Sequence, residues 1–258
     1  MDFPLSSAKV SRLHYVPSTG STNADLSQFA KTDPANWPET SVMVANYQDA
    51  GRGRLDRSWI APEGSSLMAS ILVRPKFANP SGFGWLSLLL GLAITETIQN
   101  RSTLQVGMKW PNDVLIAERK VSGILAEALP DLSGVVIGFG LNLHQSAEEL
   151  PVESATSLAM ERVLDLDKDQ WLSEILDIFT SGYKSLVEHE GDADASGLRS
   201  KVLQKSATIG EKVRVLFPDN TELLGLATSM DETGRLLLDS SGKITAVSAG
   251  DVLHLRKQ

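Results

Sequence analysis

The run QVGMKWPNDVLIAERKVSGILAEALPDLSGVVIGFGLNL, residues 105–143, decides the fold class. Four short apolar stretches, at 105–110, 114–117, 121–127 and 135–143, are separated by Pro-Asn-Asp, Glu-Arg-Lys and Pro-Asp-Leu-Ser-Gly. Stretches this short, closed by turn formers, read as strands of an antiparallel or mixed sheet. Upstream, residues 41–47 and 67–73 read as two more strands, and residues 85–98 carry the strongest helical pattern. Ser21, Thr22 and Asn23 stand where a helix through Leu26, Phe29 and Ala30 would be capped. The architecture expected is α+β, a mixed sheet with helices.

Downstream the texture changes twice. Residues 145–195 hold thirteen Asp or Glu against three basic residues, so a chain of net charge −8 concentrates its acidity there and is slightly basic elsewhere. Trp171, Ile175, Ile178, Phe179, Tyr183 and Leu186 within it form an amphipathic helix, whose charges read as a solvated face. After Lys205 come five short strands, at 212–217, 223–229, 235–238, 244–247 and 252–255. Asp219-Asn220, residues 231–234 and Ser241-Gly242 divide them. That pattern predicts a small β-barrel, hence one domain over residues 1–205 and a second over 206–258.

Composition excludes several classes of function. None of the 258 residues is Cys, which removes disulfides, thiolate catalysis and cysteine-based metal sites and fits a reducing cytoplasm. His14, His144, His189 and His254 are scattered without metal-ligand spacing, so neither a zinc hydrolase nor a Ser-His-Asp enzyme is supported. A net charge of −8 argues against broad attraction to nucleic acid or anionic membrane. Residues 77–95 lack charge, but Asn79, Pro80, Ser81, Gly82 and Gly84 are turn formers that leave an apolar part too short to cross a bilayer. The first fifteen residues have no continuous apolar run of the secretory kind. A soluble cytoplasmic protein is expected.

Three segments could carry chemistry. In Gly51-Arg52-Gly53-Arg54-Leu55-Asp56-Arg57-Ser58-Trp59, glycines let backbone approach a ligand and arginines supply forked donors for phosphate or carboxylate. It reads as a loop built to close around an anion, although a solvated loop has the same composition. Asp56 stands where a dinucleotide fingerprint needs glycine, and no Walker A pattern occurs. In Lys109-Trp110-Pro111-Asn112-Asp113 the turn sets up a hairpin that brings Lys109 and Lys120 toward one site, as a phosphate clamp or as ordinary surface lysines. The alternation leaves the face of Lys109 open. Gly138-Phe139-Gly140-Leu141-Asn142 places glycines inside a strand, which marks close approach of a ligand or close sheet packing.

Taken in order, Ser21-Thr22-Asn23, Gln48, Gly51-Arg52-Gly53-Arg54, Trp59, Lys109-Trp110-Pro111-Asn112-Asp113, the Lys120 segment and Gly138 to Asn142 resemble the biotin protein ligase family. The resemblance implies a class II aminoacyl-tRNA synthetase/biotin ligase-like catalytic domain followed by a small SH3-like domain. It implies biotin contacts from Ser21, Thr22, Asn23, Gln48, Arg52, Gly53, Arg54 and Lys109. ATP or adenylate contacts would come from Arg52, Arg54, Arg57, Trp59, Asn112, Lys120 and Asn142, with Lys109, Arg54 and Lys120 at the chemistry. The reaction implied joins biotin to AMP, with ATP and Mg²⁺, and passes biotin to a lysine of a biotin carboxyl carrier domain, as in acetyl-CoA carboxylase. Asp113 is a weak candidate base for that lysine. Leu55-Asp56 departs from the more basic or glycine-containing pair common in the family. Only twenty residues precede Ser21, too few for the helix-turn-helix module of some members, so no DNA partner is expected. A monomer or weak homodimer fits equally. The rival readings are a lipoate or octanoate ligase or transferase and a non-catalytic biotin-binding regulator. The arginine loop, with three like charges and two glycines, is expected to be mobile until an anion arrives.

Overall fold

The computed structural model describes residues 2–55, 57–77, 80–217, 219, 221–248 and 250–255. Asp56 of the arginine loop and the turn residues Asn79 and Asn220 lie outside the described residues. In chain order the elements are α1 (Pro4–Ser7), β1 (Arg12–Thr19), α2 (Thr22–Thr32), β2 (Ser41–Gln48), β3 (Ser66–Val73), α3 (Trp85–Arg101), β4 (Val106–Lys109), β5 (Asp113–Ile116), β6 (Arg119–Ala128), β7 (Val135–Asn142), α4 (Lys168–Glu188), α5 (Leu198–Lys205), β8 (Lys212–Leu216), β9 (Glu222–Met230), β10 (Leu236–Ser240), β11 (Lys243–Val247) and β12 (Asp251–His254).

Seven strands form one mixed sheet in the order β1-β2-β3-β7-β6-β5-β4, parallel only between β1 and β2. The hairpins expected between residues 105 and 143 are its right-hand half. β1 was not expected, and its residues explain why. Pro17 falls inside it and is skipped in the register, which runs from Val16↔Ala45 to Ser18↔Tyr47, and the strand is half-buried on a sheet edge where a missing amide is tolerated. The short helices α1 and α5 were likewise not anticipated. Asp169, in the first turn of α4, holds α1 by accepting from the backbone amides of Leu5 and Ser6 at 2.9 and 2.8 Å.

The sheet has different coverings on its two faces. α3 lies across one face beneath α4, and Val42, Val44, Leu67, Ala69 and Ile71 point toward it. The other face receives α2, whose Leu26 and Ala30 pack on Met43 and Leu72. Twelve of the seventeen residues of α3 are buried, so it is apolar around most of its circumference. One expectation is corrected here. Pro80–Gly84 is a 3-10 turn that runs directly into α3, so residues 81–101 make 21 helical residues, an 18-residue window of which has mean hydropathy 1.3, long and apolar enough to cross a membrane by length and composition, though that window is mostly buried. Pro, Ser and Gly are compatible with a short 3-10 segment and did not end the helix. Packing between sheet and α4 accounts for its apolar character.

The five downstream strands form an antiparallel sheet, order β11-β10-β9-β8-β12, with Val213, Val215, Ala227, Leu236, Leu238 and Val252 buried on its inner face. Its edges are β11 and β12; among the described residues their pairing does not close the sheet. Two tryptophans of the main body reach into its 231–234 turn. Trp85 Nε1 donates to the Glu232 carbonyl at 2.8 Å and Trp110 Nε1 to the Gly234 carbonyl at 3.0 Å.

Candidate active site

The site grows from the open end of α2. Thr22 and Asn23, in its first turn, are buried with Ser70 of β3 on a floor of polar side chains. Gln48 Oε1 accepts from the Thr22 amide at 2.7 Å and from its hydroxyl at 3.0 Å. Ser70 Oγ lies 2.7 Å from Thr22 Oγ1 and 2.6 Å from Asn23 Oδ1. The Asn23 amide donates to the Leu125 carbonyl at 3.1 Å and to Glu127 Oε2 at 2.8 Å. Gly138 supplies the space, since a Cβ there would collide with Asn23 Oδ1. Ser21 is the N-cap residue by backbone position, but its side chain makes no capping bond.

The arginine loop folds over this floor as a narrow hairpin, with the Trp59 amide donating to the Gly51 carbonyl at 2.8 Å and Gly53 to Arg57 at 2.6 Å. Leu55 takes the left-handed φ of +53° at its tip. Each arginine finds a different acceptor: Arg52 pairs with Glu127 at 3.0 Å, Arg54 donates to Asn112 Oδ1 at 3.2 Å, and Arg57 pairs with Asp251 of β12. These acceptors offset the three positive charges of the loop. Trp59 lies flat on the sheet, where a Cβ on Gly140 would collide with its indole and one on Gly123 would come within 3.1 Å. The glycines of β7 therefore make room for Asn23 and Trp59.

Lys109 ends β4 opposite Asp113, with Val106 and Met108 turned into the core and Gly107 and Lys109 on the other face, which settles its direction. Lys120 Nζ pairs with Asp113 Oδ1 at 2.7 Å and stands 5.8 Å from the centre of the Trp59 ring. Burial pushes the Lys109 ammonium below its ordinary pKa of 10.5; Asp113 pulls the other way, while Lys120 and Arg57 add to the depression. Burial also lowers Arg54, against the pull of Asp113. A cavity of about 210 Å³ lies between polar floor, arginine loop and lysines, with Asp251 to Leu253 on its rim. One end is neutral and hydrogen-bonding, the other cationic. Such a space suits a ligand with a polar uncharged head and a carboxylate or phosphate tail.

Residues 15–142 match the biotin/lipoate A/B protein ligase family, and residues 208–255 match the biotin protein ligase C-terminal domain. A biotin–[acetyl-CoA-carboxylase] ligase of Mycobacterium tuberculosis is 37% identical over 95% of this chain and 90% of its own. This chain belongs to the biotin protein ligase family. A bifunctional ligase/repressor of Bacillus subtilis is 31% identical to the ligase described here over 84% of this chain, but over only 67% of its own length. Among solved structures, the biotin protein ligase of Aquifex aeolicus in complex with biotin and ATP superposes with a TM-score of 0.78 at 28% identity, covering 96% of this chain and 100% of that one.

Of the residues singled out in the ligase sequence, Ser21, Thr22, Asn23, Gln48, Arg52, Gly53, Arg54, Arg57, Trp59, Lys109, Asn112 and Lys120 all line the one cavity. Asn142 does not. Its amide donates to the Thr156 carbonyl at 3.0 Å and its oxygen accepts from Gln145 at 3.0 Å, so in this structure it fastens the segment after β7. Reading the sequence missed Ser70, Glu127 and Asp251, because a lone serine or carboxylate on a strand carries no local pattern. It also passed over His254, whose Nε2 lies 3.4 Å from Thr208 Oγ1, the acceptor of the Trp110 amide. Burial, with the nearby Lys109 charge, holds His254 below its ordinary pKa.

Proposed function

We propose that this ligase uses ATP to activate biotin as biotinyl-5′-AMP and transfers the biotinyl group to a lysine of a biotin carboxyl carrier domain. The observation that carries this reading is the polarity of this cavity, with Thr22, Asn23 and Gln48 at one end and Lys109, Lys120 and Arg54 at the other. The biotin carboxylate oxygen attacks the α-phosphorus, the bond to the β-phosphate oxygen breaks, and pyrophosphate leaves. Negative charge accumulates on the phosphoryl oxygens during that step, and Lys109 and Arg54 stabilise it most where solvent is excluded. The mixed anhydride then acylates the neutral amine of the carrier lysine, and AMP departs. Asp113 is ion-paired to Lys120, so its proposed part is to hold Lys120 toward the phosphates; the reading assigns no base for the acceptor amine.

Asp113 and Asp251 are the carboxylates on the cavity rim, and among the described residues no cluster of three His, Asp or Glu could cage a metal. That donor set fits Mg²⁺ arriving with ATP, held mainly by phosphates and water with Asp113 nearby. When bound, the ion supplies charge neutralisation between the phosphates. Within the proposal Ser21, Arg52 and Gly53 complete the biotin side, while Arg57, Trp59 and Asn112 complete the adenylate side. Asn142 supports that side through the segment it fastens.

We further propose two domains, residues 1–205 and 206–258, a reading supported by the two separate sheets, and a monomer or weak homodimer; a cytoplasmic setting without DNA or membrane partner is supported by the charge of −8 and the absence of Cys. The deciding experiment incubates the protein with ATP, Mg²⁺ and either biotin or lipoate, then weighs a carrier domain. A biotinyl mass increment is expected; a lipoyl increment would establish the lipoate reading, and ligand binding without any increment a regulator.

A further inference from the structure

Glu127 is absent from the contacts that the proposed reaction uses, yet one oxygen of its carboxylate joins the polar floor of the site to the arginine loop. Glu127 Oε2 accepts from Asn23 Nδ2 at 2.8 Å and from Arg52 Nη2 at 3.0 Å. Asn23 is buried at the hydrogen-bonding end of the cavity, and Arg52 opens the loop that lines it. The surroundings of Asn23 fix which way its amide points. Both N–H bonds have acceptors, the Leu125 carbonyl and Glu127, and its oxygen faces the Ser70 hydroxyl and the gap left by Gly138. With both donors engaged, Asn23 offers a ligand only an oxygen lone pair, which suits a ureido N–H.

We propose that Glu127 is a positioning residue that commits Asn23 to its acceptor orientation and tethers the arginine loop to the biotin end of the site. This rests on the reading of the cavity given above. The Glu127 side chain is one-third exposed and that of Arg52 about half, so the ion pair adds little to global stability and acts chiefly on where the loop rests. The two bonds separate chemically. A glutamine at 127 keeps a carbonyl for Asn23 but loses the charge that holds Arg52; an alanine loses both.

The test measures biotin affinity by calorimetry without ATP, and the release rate of preformed adenylate, for wild type, Glu127→Gln and Glu127→Ala. Glu127→Gln should bind biotin within about twofold of wild type while releasing adenylate about two- to fivefold faster, the scale of a half-exposed ion pair. Glu127→Ala should release it as fast and also bind biotin about tenfold more weakly, the scale of one lost charge-assisted hydrogen bond. Melting curves for all three identify unfolding, and the conservative Gln variant keeps the test valid should Ala fail to fold. If Glu127→Gln retains adenylate as long as wild type, or loses biotin affinity as Ala does, the inference is overturned alone. A wild-type protein that binds no biotin overturns the proposed function and this inference together.

Discussion

Lys109 enters the cavity as a cation whose charge burial disfavours, with two more cations nearby. An anion placed beside it favours the charged form, so the lysine couples ligand binding to protons. Its pKa in the free site lies below the ordinary lysine value and rises when phosphate arrives. Between those two values nucleotide binding should take up a proton and weaken as pH rises; calorimetry at alkaline pH in buffers of different ionisation enthalpy reads the uptake directly, and no uptake would remove Lys109 from the phosphate. Lys109→Ala should slow pyrophosphate release roughly a hundredfold, about 3 kcal/mol of transition-state stabilisation, with a smaller change in biotin affinity. Arg54 contacts Asn112 at 3.2 Å over the same cavity. Replacing it with glycine removes a donor and loosens the loop, so adenylate should escape faster and acylate bystander lysines while ATP is still consumed. Labelling of an added non-carrier protein, followed together with intermediate release, checks this; retention equal to wild type would take Arg54 out of the lid.

At the scale of elements, β7 offers a paired test of how the site is divided. Gly138 lies under Asn23 and Gly140 under Trp59, two residues apart on one strand face. An added methyl at either forces the overlying side chain to move, an overpacking cost of about 1–3 kcal/mol. Gly138→Ala should weaken biotin binding and spare the nucleotide, whereas Gly140→Ala should raise the ATP KM and spare biotin. Equal effects of both on both ligands would mean the strand itself had shifted. The glycines were visible in the sequence as places of close approach, and the short strands, the α2 start and the arginine loop were legible because each carries a local pattern. What approaches the glycines was not legible, since Asn23 and Trp59 come from segments more than seventy residues away. The acceptors of the loop were hidden for the same reason: Arg52 and Glu127 are 75 residues apart, and isolated carboxylates on strands follow no periodicity. β1 was hidden by Pro17 and by a burial pattern lacking clean alternation.

For the molecule as a whole, the downstream sheet is bound to the main body at the site itself. Trp110 follows Lys109 directly and its indole reaches the Gly234 carbonyl, so the lysine's position depends on a turn 124 residues away. Trp110→Phe keeps most of the apolar burial and loses that bond; a drop of about 1 kcal/mol in unfolding free energy is expected, with adenylate formation impaired. A chain ended at residue 205 keeps Lys109, Lys120 and the arginine loop but exposes Trp85 and Trp110, each worth about 1.5–3 kcal/mol of burial. It should melt well below the full chain and form no adenylate, which circular dichroism and pyrophosphate release would show. The placement of Asp251 on the cavity rim gives this dependence an order in time. A ribosome delivers the reacting lysines and the loop first, and β12, which lends Arg57 its carboxylate and forms one side of the cavity mouth, only after the other strands of both sheets. During translation the growing chain thus holds its reactive groups for more than 130 residues without the strand that completes their enclosure. A leaky intermediate, formed too early, would be released among nascent lysines. Because β12 is made after Lys109, Lys120 and the arginine loop, containment comes later in synthesis than the groups it confines.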